Sequence, residues 1–220
     1  EAHMNKPSLI FSALSHLLLY PDDVMRQQLS EVRDILREER RLSEATRRAL
    51  LAFAEDLQQG DGWDVQEMYV NLFDRTRSLS LHIFEHVHGE SRDRGQAMVD
   101  LINLYQEHGL VLQAENRELP DYVPLFLEFL STLETDAAHD LLKEPLHVLQ
   151  AIGARLRQRD SAYGLIFSAL EELAGARSLI ATENDEEQDI DEAWQDAEVR
   201  FLDAATPSCR PQTATAMRGE

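Results

Sequence analysis

An all-α fold is predicted: a single helical domain of about eight or nine helices over residues 5–181, followed by an acidic linker and a disordered C-terminal tail over 182–220. Three observations predict it. Only nine glycines and seven prolines interrupt 220 residues. Apolar side chains recur at intervals of three and four rather than two, and capping residues stand where those runs begin. With 43% hydrophobic residues the chain is long enough to bury one sizeable core. Residues 1–4 read as an expression scar ahead of a start at Met4 and are set aside.

Pro7-Ser8 opens the first helix, with Leu9, Ile10, Ala13, Leu14, Leu17 and Leu18 expected on its buried face. It must stop at Tyr20-Pro21, because a residue before proline is pushed out of the α region. A second helix covers 22 to about 38, and Ser43 caps a third that runs to the Gly60-Asp61-Gly62 break. Asp61 or Gly62 starts a fourth, with Trp63, Met68, Tyr69, Leu72 and Phe73 along one side. After a turn at 75–78, the apolar stretch 79–88 predicts a short core helix ended by Gly89. The next covers about 94–108, with Met98, Leu101, Ile102 and Tyr105 inward and Gly109 just past its end. Pro120 is expected at the first position of a helix feeding 123–130. A helix over 136–158 is expected to kink or break near Pro145, and a last one covers 163–174. Between 183 and 192 seven of ten residues are carboxylates, which cannot pack and predict a solvated linker. The short amphipathic piece 193–202, with Trp194, Val199, Phe201 and Leu202, can dock back on the body; the rest of the tail is expected to be disordered.

The chain holds 41 Asp plus Glu against 21 Lys plus Arg, a formal charge of -20. Such a field repels phosphate backbones and anionic lipid and attracts basic partners, so nucleic-acid binding is not expected. The longest early apolar run, 17–19, is far short of the roughly 20 residues of a membrane span. The lone Cys209 cannot form an internal disulfide, and no secretory signal opens the chain, so a reducing cytoplasm is the expected location.

Two constellations could carry chemistry. His82-Ile-Phe-Glu85-His86 matches the H-x-x-E-H pattern of inverted zinc peptidases, in which two histidines one turn apart bind zinc and the glutamate activates water. That chemistry needs a long active-site helix beside a strand, and here the segment is short and ends at Gly89. Histidines bonded to neighbouring helices are the stronger reading. Arg75, Arg77, Arg92 and Arg94 bracket the same segment and could clamp a phosphate, but no glycine-rich strand-to-helix turn accompanies them. Pairing with Glu85, Glu90 and Asp93 is the better use. Cys209 has no base near it in sequence and receives no nucleophilic role.

Three stretches have a further value when read together: Tyr69-Val-Asn-Leu-Phe-Asp-Arg75, then 84–98 (FEHVHGESRDRGQAM), then Glu118-Leu-Pro-Asp-Tyr122. They resemble the assembly chaperones of respiratory nitrate reductase, the NarJ family, over at least 9–174. The middle stretch is the specific part. The wider class of molybdenum oxidoreductase chaperones shares the Tyr-x-x-Leu-Phe element and a Glu-x-x-x-Asp-His type motif, whose last position is Tyr122 in this chain. This chain therefore offers a phenol rather than an imidazole at that position.

The resemblance implies a cytoplasmic, all-helical, non-enzymatic chaperone, spanning 5–181. It would bind the N-terminal segment of the nitrate reductase catalytic subunit, assist insertion of the molybdenum bis-guanine-dinucleotide cofactor, and delay membrane docking. It would hold no cofactor stably, contacting at most the one on its partner, and would be a monomer or weak homodimer. An acidic helical body suits a basic, amphipathic segment laid as a helix into an apolar groove. Partner-binding residues are expected at Tyr69, Phe73, Glu85, His86, His88, Glu90, Arg92, Asp93 and Arg94, with Glu118, Asp121 and Tyr122 facing them. Because imidazole titrates near neutrality, His86 and His88 would make affinity change between about pH 6 and pH 8. The rivals are the zinc peptidase and a generic acidic helical scaffold.

Overall fold

A computed structural model describes residues 8–88, 92–112 and 118–175. Ten α-helices run through these residues: α1 (Leu9–Leu17), α2 (Asp23–Glu38), α3 (Glu44–Gln59), α4 (Gly62–Tyr69), α5 (Ile83–Val87), α6 (Asp93–Glu107), α7 (Val123–Thr132), α8 (Thr135–Lys143), α9 (Leu146–Gln158) and α10 (Gly164–Leu173). Among the described residues there is no strand, only one isolated antiparallel bridge between His82 and Tyr122. The acidic linker, the tail with Cys209, the segment 193–202, residues 1–4, Gly89 and Glu90 lie outside the described residues.

The helix starts follow the capping side chains. Asp22 accepts the Met25 N–H at 2.8 Å, Ser43 the Thr46 N–H at 3.2 Å, and Asp61 those of Trp63 and Asp64 at 2.9 and 3.3 Å. Each satisfies donors that a bare helix end would leave open, an effect of about 1 kcal/mol per cap. At the far end of α6, Gly109 adopts φ +82°, the left-handed conformation that glycine takes without a Cβ penalty. Pro145 separates α8 from α9, since its ring cannot sit inside a continuous helix.

α1 is the central packing element, lying against α7 and α2; α2 continues onto α3, α3 onto α10, and α10 onto α9. Phe11, Leu14, Leu17, Phe126, Phe129, Ile166 and Phe167 are fully enclosed in this core. α9 and α10 approach so closely that a Cβ at Gly153 would lie 2.7 Å from Phe167 Cβ.

Four local expectations are corrected. Leu9, expected inward, is 57% exposed because α1 presents that position to solvent at its first turn. Trp63 is 83% exposed and Met68 is also exposed, so the buried side of α4 is carried by Val65 and Tyr69. Pro120 does not start a helix; it lies in a turn, and Pro124, in the first turn of α7, takes the place where a missing N–H costs little. The stretch 79–88 is only partly helical, because a 3-10 turn at Arg77–Leu79 and the His82 bridge occupy its first half.

Candidate functional site

α4 does not end at Tyr69. It runs on as a single π-helical turn, Val70–Asp74, closed by the Arg75 N–H on the Val70 carbonyl at 3.0 Å. The wider turn sets Tyr69 and Phe73 side by side, ring centroids 4.9 Å apart, and both rings also meet Tyr163 of the α10 entry. Such one-turn insertions are frequent at functional sites. The Tyr69 hydroxyl donates to the Leu18 carbonyl at 2.9 Å and lies 3.3 Å from the Tyr122 hydroxyl. Tyr20 covers the other side of the Tyr69 ring edge-on, at 5.6 Å.

Across from this turn, two backbone bonds stitch the entries of α5 and α7 together: Ile83 N–H to the Asp121 carbonyl at 3.0 Å, and Val123 N–H to the Leu81 carbonyl at 2.8 Å. The bridge aligns His82 and Tyr122, whose rings lie 5.3 Å apart. Asp121 sits behind them with no solvent exposure. One carboxylate oxygen accepts the Phe84 N–H at 2.9 Å, at the first turn of α5, and the other lies 3.3 Å from His82 Nδ1. A buried carboxylate is tolerated only when hydrogen-bonded in this way. The hydrogen bond to Asp121 is the largest influence on His82 and raises its pKa above the ordinary imidazole value; burial opposes, and the charges of Asp121, Glu85 and Glu118 add to the rise. Burial pushes the hydroxyls of Tyr69 and Tyr122 up, so both stay protonated donors at neutral pH.

The result is a small, half-covered aromatic spot made of Tyr20, Tyr122 and His82 over the rings of Tyr69 and Phe73, which are themselves buried in the core. Tyr20 and Leu119 leave apolar surface open beside it. The carboxylates of Asp74 and Glu118 act on Tyr122, and those of Glu85 and Glu118 on His82, so the spot carries a negative rim.

The expected residues thus divide. Tyr69, Phe73, Asp121 and Tyr122 meet in one place, with Glu118 exposed at its edge. Glu85 pairs with Arg94 at 3.5 Å, which ties α5 to α6. His86 Nε2 lies 2.8 Å from the Ser80 carbonyl. His88 packs edge-on against Phe84, and its buried Nε2 has no hydrogen-bond partner among the described residues. Arg92 and Asp93 are exposed at the start of α6. Tyr20, Asp74 and Leu119 stand beside these residues although the sequence did not single them out, and His82, expected to bond to a neighbouring helix rather than to zinc, does so through Asp121. The signals of the first three were slight: Tyr20 read as a helix stop. In the H-x-x-E-H reading His82 and His86 should converge on one ion. Instead they face Asp121 and Ser80, and among the described residues no three His, Cys, Asp or Glu side chains cluster to hold a metal.

With this geometry in view, the family model for nitrate reductase delta subunits matches residues 39–169, which contain α3 to α9 and the whole aromatic spot except Tyr20. The chain belongs to that family. It is 41% identical over 212 residues, 92% of the chain and 88% of the relative, to the nitrate reductase molybdenum cofactor assembly chaperone NarJ of Escherichia coli strain K12. The probable chaperone NarW of the same strain is 36% identical over 209 residues, 91% of the chain and 87% of the relative. The probable NarJ of Bacillus subtilis strain 168 is 31% identical over 175 residues, 78% of the chain and 93% of the relative. The family is one of assembly proteins rather than enzymes. None of the described helices is long and apolar enough to cross a membrane.

Proposed function

We propose that this chain is a cytoplasmic nitrate reductase assembly chaperone that catalyses nothing and works by holding the N-terminal segment of the reductase catalytic subunit. With that segment held, the apoenzyme stays open while the molybdenum bis-guanine-dinucleotide cofactor is inserted, and membrane docking waits. Family membership supports the chaperone role. One observation carries the placement of the segment: the Tyr69 motif of α4 and the Asp121-Tyr122 motif before α7, far apart in sequence, meet at one half-covered aromatic spot. The rings of Tyr20, Tyr122 and His82 and the side chain of Leu119 offer apolar contact, and Asp74 and Glu118 supply a negative rim. A basic amphipathic helix fits both features, with apolar burial giving affinity and charge giving steering. Asp121 acts from behind, by fixing α5 and His82 under the ligand.

Calorimetric titration with a peptide of the catalytic subunit's N-terminus tests the placement. Truncating a central aromatic at an interface typically costs 1 kcal/mol or more, so Tyr20→Ala is expected to weaken binding about tenfold. Glu118→Lys reverses a rim charge and should weaken binding and flatten its salt dependence. Both positions are exposed, so the fold survives. If both variants bind as the unaltered chain does, the segment sits elsewhere.

A further inference from the structure

The corner between α2 and α3 is a cationic region in an otherwise acidic chain. Arg33, Arg37, Arg40, Arg41, Arg47 and Arg48, six of the 21 Lys plus Arg, fall within 16 residues. Arg33 donates to Gln58 and Arg47 to the Glu39 carbonyl, while Arg37 pairs at the surface with Asp34 and Arg41 pairs with the largely buried carboxylate of Glu39. The side chains of Arg40 and Arg48 are exposed and meet no carboxylate among the described residues. Arg41 also lines a cavity of about 260 Å³, together with Leu9, Ile10, Ile35 and the carboxylates of Asp34, Glu38 and Glu39, so the cavity itself receives the apolar side chains and the arginines outside it receive the acidic run. Leu9, 57% exposed, is thus an apolar side chain left uncovered at this cavity.

The described chain ends beside this corner. Near the end of α10 the Glu172 carboxylate accepts from the Ser43 N–H at 2.8 Å, from the Ser43 hydroxyl at 3.1 Å, and from the Thr46 hydroxyl. Gly175, three residues on, therefore lies near the start of α3, which Arg41 precedes by three residues. The carboxylate run of 183–192 begins eight residues later, and 193–202 follows with Trp194, Val199, Phe201 and Leu202. Eight residues reach at most about 28 Å when extended. A chain of that length without regular structure averages about 15 Å, a span that would hold the run at high effective concentration beside the arginines. Within 33–48 six arginines stand against four carboxylates, Asp34, Glu38, Glu39 and Glu44, a local excess of positive charge that attracts an acidic run.

We propose that the chain's own segment 183–202 docks on this corner, its carboxylates against Arg37, Arg40, Arg41 and Arg48 and its apolar residues against the Leu9–Ile35 cavity. The acidic run steers, and burial of Trp194 and Phe201 beside Leu9 supplies the contact that outlasts the encounter. The inference is independent of where the reductase segment binds.

The test uses the full chain, isotopically labelled for NMR, with Cys209→Ser and a nitroxide attached through Asp203→Cys. Amides of Ile35, Arg41 and Arg48 should lose intensity at low salt, while those of α5 and α6 keep theirs. The loss should disappear at about 1 M salt, where the screening length is about 3 Å. It should also disappear in Arg40→Glu/Arg48→Glu, and equally when Glu186, Glu187 and Asp189 are replaced by Lys, which leaves the described body unaltered. Broadening centred on Tyr69 and Tyr122 would overturn the proposal. So would broadening seen only when nitroxide-bearing and labelled chains are mixed, which marks a second copy as occupant, or a pattern unmoved by charge reversal.

Discussion

Asp121 is the residue at which the structure makes its sharpest separation between holding the fold and touching a partner. Its carboxylate is wholly buried and serves two clients, the Phe84 N–H at 2.9 Å and His82 Nδ1 at 3.3 Å. Asp121→Ala strands a buried donor at the first turn of α5, and a hydrogen bond to a charged acceptor contributes about 1.5–3 kcal/mol. The His82 contact is partly open to water and adds about 0.2–1 kcal/mol. The expected loss is therefore about 2–4 kcal/mol. Asp121→Asn keeps an oxygen for the Phe84 N–H and gives up only the charge, roughly half the strength of that bond, so it should lose about 1 kcal/mol. Urea unfolding followed by circular dichroism reads both, with slopes of about 1–3 kcal/mol per molar that convert midpoints to free energies. An Asp121→Ala variant within about 0.5 kcal/mol of the unaltered chain, the range of ordinary surface changes, would refute the reasoning.

Stability should also depend on pH from both sides. His82 holds its proton more tightly folded than unfolded, so its contribution is full below the ordinary value of 6.5 and is lost as pH rises through the higher folded value. His139 is the reverse: burial, with Arg41 and Lys143 adding, lowers its pKa, so its contribution is present above 6.5 and is lost as pH falls below it. Urea midpoints across about pH 5 to pH 8 should peak near the middle, and His82→Gln should abolish the alkaline decline alone; an alkaline limb unchanged by that substitution contradicts the assignment. Gly153→Ala forces a methyl to within 2.7 Å of Phe167 Cβ and should cost about 1–3 kcal/mol in the same assay, whereas a neutral effect would mean that α9 and α10 are not packed as described.

Apart from Pro120, helix boundaries were legible where chemistry at the boundary is local. Asp22, Ser43 and Asp61 cap by their own side chains, Gly109 takes a left-handed turn, and Pro145 cannot continue a helix, so single residues mark these points. Facing was less legible. Leu9 and Trp63 are apolar at helix starts, where periodicity lacks a preceding turn to fix the phase, and both emerged exposed. The site was half visible. Tyr69, Phe73, Asp121 and Tyr122 stood out as motif residues, yet the π-helical turn that aims the first pair has no sequence mark, because closing a bond one residue further on requires no special side chain. The rival zinc pattern fails at His82 for a related reason. The H-x-x-E-H spacing presumes a regular helix, whereas His82 sits before α5 in an extended conformation and pairs across to Tyr122. Asp121 was expected to face a ligand. Only the structure could reveal that it lies beneath the site, because its clients, His82 and Phe84, are 39 and 37 residues away.

The central claim is that this chain readies nitrate reductase for its molybdenum cofactor, and molybdenum content of the purified reductase tests it most directly. Reductase made in cells lacking this chain should carry little of the metal. Reintroducing the unaltered chain should restore it, and the Tyr20→Ala/Glu118→Lys variant should restore it poorly. Reductase fully loaded with molybdenum in the absence of the chain would contradict the account.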